Sequence, residues 1–111
     1  MSYPALFTTP GVRQFAEDVD TERQAQLAKF GDQHHPDGTG SASQQEAAAL
    51  ARMECEDAFG AGYGTWCHVL FEETREALAE SDPAKLRAEL VQVAAVCAAW
   101  ISDIDSRGVQ R

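Results

Sequence analysis

The residues able to do chemistry crowd into one short stretch, LFEETREALAE, Leu70 to Glu80, which carries Glu72, Glu73, Glu76 and Glu80. Side chains three and four positions apart share a face of a helix. These carboxylates are therefore like-charged neighbours and repel. Further on, in RAELVQ, Glu89 and Gln92 are also three apart, which puts a carboxylate and an amide oxygen on one face. Carboxylates gathered at one place need protons or cations. Hard divalent cations with oxygen ligands suit such a gathering, Mg²⁺ foremost and Mn²⁺ as its substitute.

The elements that must position these groups all read as helix. TTPGVRQFAEDVDTERQAQLAKF opens with Thr9 as an N-cap and Pro10 at the first helical position. Val12, Phe15, Ala16, Val19, Leu27 and Phe30 recur at helical spacing, and Gly31 ends the run. GDQHHPDGTGS is a loop with a turn at Pro36 to Gly38. A second helix follows in SASQQEAAALARMECEDAFG, where Ser43 and Glu46 have capping-box spacing. GAGYG breaks it. Thr65 caps a third helix that runs to about Glu80. In the fourth, Asp82 is the N-cap, Pro83 the first residue, and Arg107-Gly108 the end. The expected fold is all-α, bundle-like, with about four helices and short connections.

From Leu90 to Ile101 every residue is apolar except Gln92, and a helix apolar all round is expected to be buried on most faces. A charge at its edge then needs a partner. For Glu89 neither Arg87 nor Lys85 lies three or four residues away, and the third helix offers only Arg75. The short SDPAK turn makes the third and fourth helices an antiparallel hairpin. Trp66, Leu70, Phe71, Ala77 and Leu78 form the apolar stripe of its first arm. The C-terminal part of one arm faces the N-terminal part of the other, so Glu76 and Glu89 can approach. Glu80, at the helix end, is expected to be merely solvated.

The 111 residues suit a single domain, 1–111, and 44% hydrophobic residues allow a small core. Domains of this size often gain stability by oligomerising. A net charge of -9 argues against nucleic acid as a partner. No apolar run is long enough to span a membrane and the N-terminus does not resemble a signal peptide. Cys55, Cys67 and Cys97 show neither a disulfide framework nor zinc-site spacing. A reducing cytoplasm is the expected location, with the cysteines packed as small apolar groups.

EETRE, followed beyond Ala88 by ELVQ, resembles the EExxE…ExxD signature of the MazG-like all-α nucleoside triphosphate pyrophosphohydrolases. LFEETREAL and LRAELVQVAAV are similar to the family in texture, and the resemblance covers residues 66 to 107. The first half, with ERQAQLAKFGDQHHPDGTG, is similar to small MazG-like proteins of bacteriophages and actinobacteria. The resemblance implies a Mg²⁺-dependent enzyme splitting an NTP or dNTP into the monophosphate and pyrophosphate. It also implies a homodimer or homotetramer. By position, Glu72, Glu73, Glu76 and Glu89 match the acidic ligands. Gln92 stands where the family has Asp; it keeps a carbonyl oxygen for a metal or a water but lacks the charge. Glu73 and Glu76 are the candidate catalytic carboxylates. One of them, Glu73 for instance, would orient or deprotonate the attacking water, and the residues do not say which. Lys29, Arg23 and Arg75 are candidates for phosphate contacts, and His34 and His35 for substrate or metal.

Blander readings stand beside these. The glutamates suit a solvated helix face, and the histidines a surface loop. His68, four residues before Glu72, suits a helix-surface hydrogen bond. GAGYG lacks a preceding strand and reads as a linker, not a phosphate loop. Trp66 and Trp100 read as core. Two further functions remain open: a weakened or inactive MazG-like homologue that binds a nucleotide or a protein, with Gln92 as its support, and a purely structural acidic module that binds a protein.

Overall fold

A computed structural model describes residues 6–108. Among them are four α-helices and no strand: α1 (Val12–Phe30), α2 (Ala42–Gly60), α3 (Trp66–Leu78) and α4 (Pro83–Ser106). The all-α expectation holds. The chain forms two compact units. Among the described residues, one comprises 6–36 and 101–108; the other is Asp37–Trp100.

In the first unit, α1 starts later than its sequence suggests. The helix begins at Val12, and its N-cap is Gly11 at φ 85°, not Thr9. The Thr9 carbonyl accepts the Val12 amide at 3.2 Å. A left-handed residue cannot sit inside a right-handed helix, so Gly11 cancels the start that Pro10 would otherwise make. No residue of α1 is buried, and Val19, Leu27 and Phe30 are exposed. Gly31, at φ 69°, ends the helix, its amide donating to Leu27 O.

The second unit holds α2, α3 and α4 as far as Trp100. The α2 capping box is Ser41 with Gln44, two residues before the pair expected. Gln44 decides this, because its side-chain amide also donates to the Gly38 carbonyl at 3.0 Å and anchors the helix start to the preceding loop. The other ends are where local chemistry puts them. Thr65 caps α3, and the Asp82 carboxylate accepts the Lys85 amide at 3.0 Å at the start of α4. The α3 helix stops at Leu78, short of Glu80.

Small residues let these helices approach closely. Ala48, Ala51, Cys55 and Ala58 form the buried face of α2, which packs against α3; Ala77 of α3 and Leu86 of α4 are buried as well. Trp66 and Trp100, both half-buried, stack at 6.3 Å between ring centroids and 12° between planes. This pairs the start of α3 with the distal part of α4, as the antiparallel hairpin requires. The expected burial of α4 on most faces does not occur in the single chain. Leu86 is its only buried residue, and Leu90 and Val91 are 51% and 55% exposed. The unit has too few helices to surround an all-apolar one, so its remaining faces stay open. Phe71 and Leu78 of the α3 stripe are exposed for the same reason.

The loop before α2 straps the α3–α4 turn. Gly40 N–H donates to Leu78 O at 2.9 Å, and Thr39 Oγ1 donates to Glu80 O at 2.6 Å. Gly40 has φ 88°, and a Cβ placed there would lie 2.5 Å from Ser81 Cβ. Gly40→Ala combines a left-handed penalty with a steric clash and is expected to cost about 2–4 kcal/mol. Urea unfolding at fixed protein concentration checks this; an unchanged midpoint would refute it.

Candidate metal centre

The hairpin and the α2 strap set the geometry of the carboxylates. Glu73 and Glu76 come from the second half of α3 and Glu89 from the second turn of α4. One carboxylate oxygen of each lies within 4.8 Å of the others. All three side chains are half-buried. Glu73 Oε2 and Glu89 Oε2 are buried and have no hydrogen-bond partner. Burial, then the neighbouring Glu76, Glu72 and Glu89, hold the Glu73 carboxyl above the usual carboxylate range.

One cation answers this charge, and it comes from α2. Arg52 donates from Nη2 and Nε to Glu76 Oε1 at 3.0 and 3.2 Å. Its guanidinium is held above its usual pKa, chiefly by that hydrogen bond. A cavity of about 270 Å³ opens here, lined by Gln45, Ala48, Ala49 and Arg52 from α2 and by Glu76, Ala79, Glu80 and Glu89 opposite. Arg52 is a partner the sequence reading misses, because it lies on α2, outside the hairpin that carries the glutamates. It is the one basic residue of α2, and the small-residue face beside it was the available signal that α2 packs close to those glutamates.

Glu72 stands apart from the triad, beside Cys55, whose thiol is pushed up to about 11 by burial first and then by this carboxylate. Gln92 is exposed on α4. Arg75 lies with its guanidinium 5.0 Å from the Phe71 ring centroid, in an apolar groove that also includes Leu70, Leu78 and Trp100; the carboxylate cavity is lined without it. Lys29, His34 and His35 belong to the first unit and have local contacts. Lys29 lies 5.2 Å from the Phe30 ring centroid, His34 bonds Asp32 at 3.0 Å, and His35 bonds Gln33 at 3.0 Å. Arg23, in the same unit, donates to Gln26 at 2.7 Å.

Two expectations are corrected. Glu80 is not merely solvated, since it is half-buried and its Oε1 accepts the Asp82 amide at 3.0 Å. It thereby orders the turn that brings Glu89 to the triad. The cysteines do not all pack: Cys55 is buried and Cys97 half-buried, but Cys67 is exposed. His68 belongs to the α3 capping box, its Nδ1 accepting the Thr65 amide at 3.1 Å.

The class defined by fold and site is an all-α chain with three converging carboxylates, two of which, Glu76 and Glu89, line a small cavity together with Arg52. No family model matches the chain, and no curated protein or solved structure matches it either. No helix of the described residues is long and apolar enough to cross a membrane.

Proposed function

We propose that this chain is a MazG-like, Mg²⁺-dependent nucleoside triphosphate pyrophosphohydrolase, releasing pyrophosphate and a nucleoside monophosphate. The observation that carries the reading is the convergence of Glu73, Glu76 and Glu89, with buried, unpartnered oxygens on two of them. An all-oxygen donor set of this charge fits a hard divalent cation, Mg²⁺ or Mn²⁺. A bound cation would neutralise charge on the phosphate oxygens. Glu73, with its raised affinity for a proton, is suited to accept one from water at a carboxylate oxygen. Gln45 and Arg52 form the polar wall across the cavity.

The reading includes a homodimer or homotetramer, supported by the open apolar faces of α2, α3 and α4, and a reducing cytoplasm, which three free cysteines suit. The test is pyrophosphate release from a panel of NTPs, dNTPs and modified nucleotides with Mg²⁺. Turnover of at least one of them, lost on adding chelator and restored by excess Mg²⁺, is the expected outcome. The second reading, a nucleotide- or protein-binding homologue with weakened catalysis, is favoured by the exposed, uncharged Gln92. It is selected if the parent turns over nothing and Gln92→Asp does.

A further inference from the structure

Glu76 serves two groups at once. It belongs to the carboxylate triad and is also the anchor of Arg52. Both bonds from Arg52 go to the same oxygen, Oε1, and use two of the guanidinium's five N–H donors. The Arg52 side chain is 55% exposed, whereas that of Glu76 is 21% exposed. The arginine is the open member of the pair and the glutamate the enclosed one. Around them Ala48, Ala49 and Ala79 give the cavity wall short side chains, beside the longer Gln45, Glu80 and Glu89.

A divalent cation held by the triad would draw on the Glu76 carboxylate and weaken its hold on Arg52. The freed cation would then stand on the wall of a cavity whose other charged lining groups are Glu76, Glu80 and Glu89. At about 270 Å³, the cavity is at the small end for a ligand site. It suits the phosphate groups of a nucleotide, with the base outside. A planar guanidinium recognises phosphate oxygens with two parallel bonds.

We propose that Arg52 is a phosphate-positioning residue that exchanges partners: it holds Glu76 in the metal-free chain and turns to the phosphate oxygens of a metal-bound polyphosphate. This rests on the pyrophosphohydrolase reading and adds to it the residue that receives the anionic part of the substrate. The order of events follows from charge. The triphosphate alone is repelled by three carboxylates, whereas the cation both screens them and releases the arginine. Metal and triphosphate are thus expected to bind with positive coupling through Arg52.

Calorimetry on the full chain tests this with Mg²⁺ alone and with Mg²⁺ plus a non-hydrolysable α,β-imido nucleoside triphosphate. The variants are Arg52→Gln and Arg52→Lys, with helix content checked by circular dichroism. For Arg52→Gln, Mg²⁺ affinity should be unchanged or higher, because a competitor for Glu76 is gone. Triphosphate affinity should fall about 10- to 100-fold, the range for a lost charge-assisted pair. Arg52→Lys should recover part of it. Triphosphate binding unaffected by Arg52→Gln, or Mg²⁺ and triphosphate weakened equally, would overturn the exchange while leaving the metal site standing. A parent chain that binds no Mg²⁺ would overturn both.

Discussion

Glu76→Gln should lower pyrophosphate release by about a thousandfold or more, the scale on which preorganised charged groups act in such sites. The effect should exceed that at any other glutamate of the run, because Glu76 has two partners. It is one of three converging carboxylates, and it alone holds Arg52. Glu89→Gln should cost nearly as much, since it removes the only carboxylate that α4 brings to the triad. Glu72→Gln is the control: Glu72 faces Cys55 and lies outside the triad, so turnover should change by about tenfold at most. Equal losses at Glu72 and Glu76 would mean that the triad is not the site.

Glu73→Gln separates catalysis from stability. The Glu73 carboxyl titrates above the usual range in the fold, for reasons of burial first. A raised group supports the fold fully below its unfolded pKa and loses that contribution as pH rises through its folded value. At neutral pH the ionised carboxylate is therefore a burden on the metal-free chain. The amide relieves it, so this variant should melt higher than the parent at neutral pH without metal and gain less on acidification. Mg²⁺ should raise the melting temperature of the parent and not of the variant. A variant that is less stable and still responds to Mg²⁺ would count against the assignment.

The second large effect concerns assembly. The buried residues of the second unit are only four alanines, one cysteine and one leucine. Met53, Phe59 and Val91, by contrast, are 59%, 53% and 55% exposed. Burying such side chains is worth about 1.5–3 kcal/mol each, and that gain is open to a second copy. Light scattering coupled to size exclusion should give a multiple of the chain mass. The melting temperature should rise with protein concentration, as it does when association and folding are linked. Val91→Asp counts twice across a symmetric interface and should weaken association by at least about a hundredfold. A single-chain mass at every concentration would remove the oligomer from the reading.

What could be read without the fold was local. Thr65 as a cap, Asp82-Pro83 as a helix start and Gly31 as an end depend on a few neighbouring residues, and they stand in the structure as the chain implies. The glutamate spacing within α3 is likewise local, since helix geometry alone puts residues three and four apart on one face. The start of α2 was set by the loop that precedes it. Ser41 displaced Ser43 as the α2 cap because Gln44 could also reach the loop.

The composition of the site was settled between helices. Glu72 and Glu73 are neighbours in sequence, yet a step of about 100° around α3 turns one to Cys55 and the other to Glu89. Arg52 lies twenty-four residues before Glu76, and no local periodicity joins them; close packing over small residues does. The apolar run of α4 states that cover is needed but not where it comes from, because hydrophobic burial has no direction. Sequence thus determined that this protein is helical, acidic and built around a charged hairpin. Only the packing of α2 against that hairpin decided which carboxylates meet and which cation stands beside them, because distances across helices depend on every side chain between them.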